Sequence, residues 1–178
     1  MTLPPTRIKV PLMKTQNTDP LILARDALKS IKPDLFEIFT QKSQRLQIDA
    51  KDGKVDSLTR SEDVGLSVRV IHKNRMGFSY TTSLTPQAIE RTAHTAFEIA
   101  KNMPEDRDLQ FFDFSKAKYA GELRTVDHDG LKTSTDKKIA LALALEEKCR
   151  AFDKRIAGVR SASVKEILGE SRMMDTNG

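Results

Sequence analysis

Leu21, Ala24, Leu28 and Ile31 recur at helical spacing and give the chain its first ordered signal. Asp19 offers a cap for that helix and Pro20 suits its first turn. Lys29 and Lys32 sit at the negative end of the helix dipole, and Pro33 stops it. After Pro33 the period becomes two. Phe36 and Ile38 begin a strand, and Leu46, Ile48 and Ala50 alternate with Arg45, Gln47, Asp49 and Lys51 as a half-buried strand requires. Asp52-Gly53 predicts a tight reversal, because this pair readily takes two positive φ angles. Lys54 to Arg60 is the expected return strand. Val55 and Leu58 break its alternation, which predicts a bulge or a short strand.

The clearest alternation follows. Val64, Leu66, Val68, Val70 and His72 point one way, and Gly65, Ser67, Arg69 and Ile71 the other. Lys73-Asn74-Arg75 reads as a turn, and Met76, Phe78 and Tyr80 alternate on the next strand. These runs predict an antiparallel meander of four to five strands with one face buried. A second helix starts at once, with Thr85 as cap, Pro86 in the first turn, and Leu84 and Ile89 placed as a hydrophobic staple. Its stripe is Ile89, Ala93, Ala96, Phe97 and Ala100, and Asn102, Pro104 and Glu105 to Asp108 end it.

Residues 109–134 carry little periodicity and read as an extended connection pinned by Phe111, Phe112 and Phe114. A third helix is expected from Thr135 or Asp136 to about Phe152. Its run Ile139 to Leu145 is apolar all round, which predicts the most buried helix of the molecule. Strand-like residues resume at Arg155 and continue with gaps to Ile167. The fold class is therefore α+β, a meander of four to five strands packed against about three helices. The chain ends on Asn177-Gly178, a strong hairpin-turn signal with no second strand after it. The expectation is a domain cut at its turn, whose last strand, within Val159 to Met174, leaves an edge that recruits other strands.

Composition narrows the classes. The chain has 178 residues, 38% hydrophobic and 31% charged, which fits one globular domain and excludes wholesale disorder. No apolar run approaches the ~20 residues that span a bilayer. Residues 1–18 contain no acid, and Pro4, Pro5 and Pro11 break any amphipathic targeting helix. They read as a flexible basic arm ahead of a domain over residues 19–178. The net charge of +5 comes from 30 basic and 25 acidic residues, interleaved outside the arm. Mixed charge of this kind is a solvated surface rather than a nucleic-acid footprint. The single cysteine, Cys149, excludes an internal disulfide, suits a reducing cytoplasm, and reads as a buried structural thiol in its apolar helix.

Catalytic signatures are missing. The histidines His72, His94 and His128 form neither a His-Glu-x-x-His motif nor any i, i+4 pair. Asp127-His128-Asp129 reads as a solvated loop, since adjacent residues rarely converge on one ion without partners from elsewhere. There is no Gly-x-Ser-x-Gly elbow and no phosphate loop. No catalytic, cofactor-binding or metal-binding residue is assigned.

Several segments, in order, carry a family likeness. They are Asp52-Gly53-Lys54-Val55-Asp56-Ser57, Gly65-Leu66-Ser67-Val68-Arg69-Val70, Asn74-Arg75-Met76-Gly77-Phe78 and Ser83-Leu84-Thr85-Pro86-Gln87-Ala88-Ile89. Ala96, Ile99-Ala100 and Pro104 continue the series. No single piece is specific, but their order and spacing from Asp34 to Asp108 resemble the N-terminal domain of the TldD/PmbA family. Val70-Ile71-His72-Lys73-Asn74-Arg75 is more similar to the PmbA branch, and a weaker likeness runs through Asp153-Lys154-Arg155-Ile156 to the end.

The resemblance implies cytoplasmic assemblies of TldD-like and PmbA-like subunits that cleave peptides, including maturation of a peptide antibiotic and degradation of an antitoxin. It also brings the older label of a modulator of DNA gyrase. In TldD-like members a His-Glu-x-x-x-His motif downstream supplies zinc ligands and a catalytic Glu. PmbA-like members lack it, and no position of this chain matches it. The expectation is a non-catalytic domain that packs subunits and shapes substrate access, with zinc in a partner or a further region and no activity alone. The alternative is a basic nucleic-acid-associated module.

Overall fold

The computed structural model describes residues 19–109, 123 and 125–177. The basic arm 1–18, the aromatics Phe111, Phe112 and Phe114, and Gly178 lie outside the described residues. In chain order the elements are α1 (Pro20–Ile31), β1 (Leu35–Lys51), β2 (Lys54–His72), β3 (Arg75–Thr81), α2 (Pro86–Asn102), α3 (His128–Lys132), α4 (Thr135–Phe152) and β4 (Ala162–Asp175). The four strands form one sheet in the order β3-β2-β1-β4. The α+β class holds, with four strands and four helices among the described residues. No helix among them is long and apolar enough to cross a membrane.

Local chemistry sets the boundaries. Asp19 caps α1, its Oδ1 accepting from the N–H of Leu21 at 3.0 Å, and Lys32 closes the helix with φ of 60°. Thr85 and Ser134 accept from Ala88 N–H and Lys137 N–H to cap α2 and α4. Asp52 and Gly53 have φ of 55° and 73°, as the hairpin turn requires. Lys73 and Asn74 also have positive φ, so the turn before β3 has two residues, and Arg75 already pairs with His72.

The chain divides into two compact units, and β1, β2 and β4 contribute residues to both. One comprises the described parts of Lys9–Lys42 and Asp63–Ala120 with Glu170–Gly178. Its core joins Leu21, Ala24 and Leu28 of α1, Phe36 and Ile38 of β1, Leu66, Val68 and Val70 of β2, and Ile89, Ala93, Ala96 and Ala100 of α2. Arg172 of β4 donates to the capping Asp19 at 2.8 Å. The other unit is built on Ser43–Glu62 and the described part of Gly121–Gly169. Its core is small: Leu46, Ile48, Ala50, Ala142 and Ala162, flanked by Ile139, Leu143 and Val164.

Several sequence expectations change. The strand runs on either side of Gln41–Gln44 are one strand, β1, and those on either side of Ser61–Asp63 are one strand, β2. The polar interruptions fall where these strands are not deeply buried, so they need no apolar residue there. Met76, Phe78 and Tyr80 do not face the core: they are exposed, and Gly77, paired with Val70, takes the buried side. Helix α4 is not the most buried helix. It buries only Lys138, Ala142 and Glu146, whereas Leu141 and Leu145 are 60% and 44% exposed. A helix whose apolar residues run all round can seat any face. The one chosen here carries ionic groups that find partners on β4 and in the hairpin turn. Strand β4 runs from Ala162 to Asp175, later than expected at both ends; at Arg155 and Ile156 the backbone is instead tied into a turn by Asp153.

Candidate functional site

The histidines stay apart, on β2, α2 and α3. His72, at the end of β2, lies with Nδ1 3.5 Å from Asp34 Oδ1 and its ring 4.9 Å from that of Phe97 on α2. His94 lines a shallow surface depression on α2 with Arg91, Glu98 and Met103. His128 opens the five-residue helix α3, so Asp127-His128-Asp129 is a capped helix start rather than a loop. Asp127 Oδ1 accepts from Asp129 N–H at 3.1 Å and Gly130 N–H at 2.9 Å. Asp129 pairs with Lys132 at 3.3 Å. Cys149 is exposed, a second correction: it lies off the narrow buried face of α4. Among the described residues no group of three or more His, Cys, Asp or Glu could hold a metal ion.

The densest polar cluster is one that sequence reasoning missed. Asp49 on β1 accepts from Ser163 Oγ of β4 at 2.5 Å, Ser57 Oγ of β2 at 2.8 Å and Gln47 Nε2 at 2.9 Å. The Ser163 hydroxyl, then Gln47 and Ser57, with Lys165 nearby, lower its pKa from 3.8 to about 2. A carboxylate held ionised by neutral donors is a poor proton shuttle, but it ties three strands together. The stability it adds is complete above its unfolded pKa and is lost as pH falls from 3.8 through about 2. An Asp49→Asn protein should therefore be less stable than wild type at pH 6, with the gap closing towards pH 2. Denaturant midpoints across that range measure it, and a gap independent of pH would contradict the assignment.

Two further groups seat α4. Lys138 Nζ donates to Glu166 Oε2 of β4 at 2.5 Å. Glu146, 2% exposed, accepts from Gly53 N–H of the hairpin turn at 3.0 Å and from Arg150 at 2.6 Å. A cavity of about 420 Å³ opens beside Gly53, Leu143, Glu146 and Arg150, and another of about 270 Å³ beside Leu46, Arg60, Glu62, Leu131 and Leu168. Neither lining holds a histidine or a cysteine. The chemistry gathered on the described residues is that of strand and helix attachment.

Comparison with known proteins places this arrangement. Residues 36–100 match the family model described as PmbA/TldA metallopeptidase domain 1. The chain is 28% identical over 151 residues to metalloprotease PmbA of Escherichia coli O157:H7, an overlap of 85% of this chain and 33% of that protein. It thus spans about a third of the length of that curated relative. Among solved structures it is similar to a candidate modulator of DNA gyrase from Bacteroides thetaiotaomicron VPI-5482, with a TM-score of 0.81, 19% identity, and coverage of 94% of this chain and 38% of that one. TldE from Thermococcus kodakarensis gives a TM-score of 0.73 at 18% identity, over 90% of this chain and 35% of that one. A candidate DNA gyrase modulator from Thermotoga maritima MSB8 gives 0.68 at 17% identity, over 89% and 35%. At these identities the solved structures establish the fold.

Proposed function

We propose that the chain is a non-catalytic N-terminal domain of a TldD/PmbA-type peptidase assembly, a reading supported by the match of residues 36–100 to PmbA/TldA metallopeptidase domain 1. Its role is to pack against a TldD-like or PmbA-like subunit and to shape the approach of peptide substrates. The assembly works in the cytoplasm, and its zinc is held by a catalytic partner or another region of the assembly. The observation that carries the reading is the family match together with the relative named a metalloprotease. The interleaved charge of the chain fits a protein partner better than a polyanion.

The expected result is that the purified chain retains no stoichiometric zinc, cleaves no unfolded peptide, and co-purifies with a TldD-like subunit. One zinc per chain with chelator-sensitive proteolysis would falsify the non-catalytic assignment. The two relatives described as candidate gyrase modulators keep a second reading in play, a nucleic-acid-associated module. Titration of labelled duplex separates the two: weak binding that vanishes by moderate salt fits the peptidase reading, and tight binding at physiological ionic strength fits the other.

A further inference from the structure

Strand β3 is an edge of the sheet. It pairs with β2 from Arg75, opposite His72, to Thr81, opposite Leu66, and among the described residues no strand lies on its other side. The two-residue turn at Lys73-Asn74 makes His72 and Arg75 a hydrogen-bonded pair. The unbroken register then commits Arg75, Gly77, Ser79 and Thr81 to β2, and turns the N–H and C=O of Met76, Phe78 and Tyr80 to the open side. The Asn74 carbonyl accepts from Asp106 N–H at 2.7 Å, which closes the open edge at the turn. Met76, Phe78 and Tyr80 also expose their side chains, on the sheet face opposite Gly77, and the rings of Phe78 and Tyr80 are 6.4 Å apart. Beyond Arg75 the strand carries no charge, no proline and no bulge, the features that blunt an edge against pairing.

Helix α2 decides what can pair there. Its backbone lies so close over Gly77 that a Cβ at that position would meet the Ala96 carbonyl and the Ala100 amide. A second copy joined edge to edge would set its own β3 about 4.8 Å away, with its own α2 above it. Packed helices keep their axes ~8–10 Å apart, so that pairing is penalised and the edge suits a strand that carries no helix. On the α2 side the residues of such a strand must be small. On the other side they can be large and apolar against Met76, Phe78 and Tyr80. Arg75 is half-buried and is the one charge on β3, and an acid across from it completes an opposite-charge pair.

We propose that the open edge of β3 receives an extended antiparallel segment of a partner subunit, apolar at alternate positions, small between them and acidic opposite Arg75. That the segment belongs to a subunit rests on the peptidase-assembly reading above; the pairing itself rests on the strand and helix alone.

The probe is the end-blocked peptide Ser-Val-Ser-Val-Ser-Val-Asp. Laid antiparallel, it sets its valines opposite Tyr80, Phe78 and Met76 and its aspartate opposite Arg75. Titrated into the full chain and followed by amide exchange, it should slow Met76, Phe78 and Tyr80 and leave Gly77 and Ser79, already bonded to β2, little changed. N-methylation of the three valines removes the N–H groups that face β3 and should weaken binding by about tenfold or more. N-methylation of the serines, whose groups face away, should change it little. Leucine in place of the second and third serines meets α2 and should again cost about tenfold or more. No binding, equal loss from both methylated peptides, tolerance of the leucines, or peptide-free dimers that slow the same three amides would each overturn the pairing, and the family reading would stand. A chain that binds the peptide yet co-purifies with no TldD-like subunit would instead overturn the assignment of the segment to a subunit.

Discussion

A Gly77→Ala protein should lose about 3 kcal/mol or more of stability, at the upper end of what overpacking a core costs. Gly77 sits on the helix side of β3, and an added Cβ would lie 1.9 Å from the carbonyl oxygen of Ala96 and 2.6 Å from the amide nitrogen of Ala100. Both are backbone atoms of α2, so no side-chain rotation relieves the clash. The helix itself has to move off the sheet. That movement opens the contact between α2 and the β2 core residues Val68 and Val70, which are fully buried. For a chain of this size the loss corresponds to roughly 6–12 °C in melting temperature. Ser79→Ala, two residues along β3 and less buried, is the control and should change stability by about 0.5 kcal/mol or less. Ala100→Gly in the Gly77→Ala background removes the Cβ that lies 3.0 Å away but not the backbone, and should fail to rescue. Thermal melts decide between the outcomes. A Gly77→Ala protein as stable as wild type would mean that α2 does not approach β3 this closely.

The same glycine marks the limit of what the sequence disclosed. The alternation of Met76, Phe78 and Tyr80 predicted a strand with the correct period, and the strand is there. Which face is buried was not legible, because period two says which residues share a side and not which side is buried. The missing signal was the pairing of Gly77 with the small-residue stripe Ala93, Ala96 and Ala100 on α2, all fully buried. Small residues on both elements allow two backbones to approach, and a bare count of apolar positions overlooks that. Turns and caps were legible, since Asp52-Gly53, Asp19 and Thr85 act on backbone groups within a few residues of themselves. The polar contacts that attach α4 and tie the strands were not. Glu146 reaches Gly53 across 93 positions and Ser163 reaches Asp49 across 114, so neither shows in any local pattern. The family likeness between Asp34 and Asp108 was legible through order and spacing, and the family match at residues 36–100 falls inside it.

Glu146→Ala should cost about 2–3 kcal/mol, chiefly through the hydrogen bond it leaves unmade. The carboxylate is 2% exposed, and its Oε2 is the acceptor for the N–H of Gly53 at the tip of the β1–β2 turn. Removing it leaves that donor without its partner and opens space beside Ala142 and Leu143. The charge contributes less. Arg150, which donates to Oε1 at 2.6 Å, is 44% exposed and lies 3.7 Å from Asp52, so it keeps water and a second carboxylate when Glu146 is gone. The loss therefore belongs below the ~3–5 kcal/mol seen when one member of a fully buried pair is deleted. Glu146→Gln separates the two contributions, because an amide oxygen still accepts from Gly53 while the charge is absent. It should cost about 1 kcal/mol, the scale of weakening one charge-assisted bond. Glu146→Leu fills the space but offers no acceptor, and should resemble alanine more than glutamine. Urea midpoints rank the three variants, and amide exchange at Gly53 reports the bond directly: fast in Ala and Leu, slow in Gln and wild type. If Leu proves the most stable of the three, the attachment of α4 is a matter of volume and the hydrogen bond to the turn is incidental.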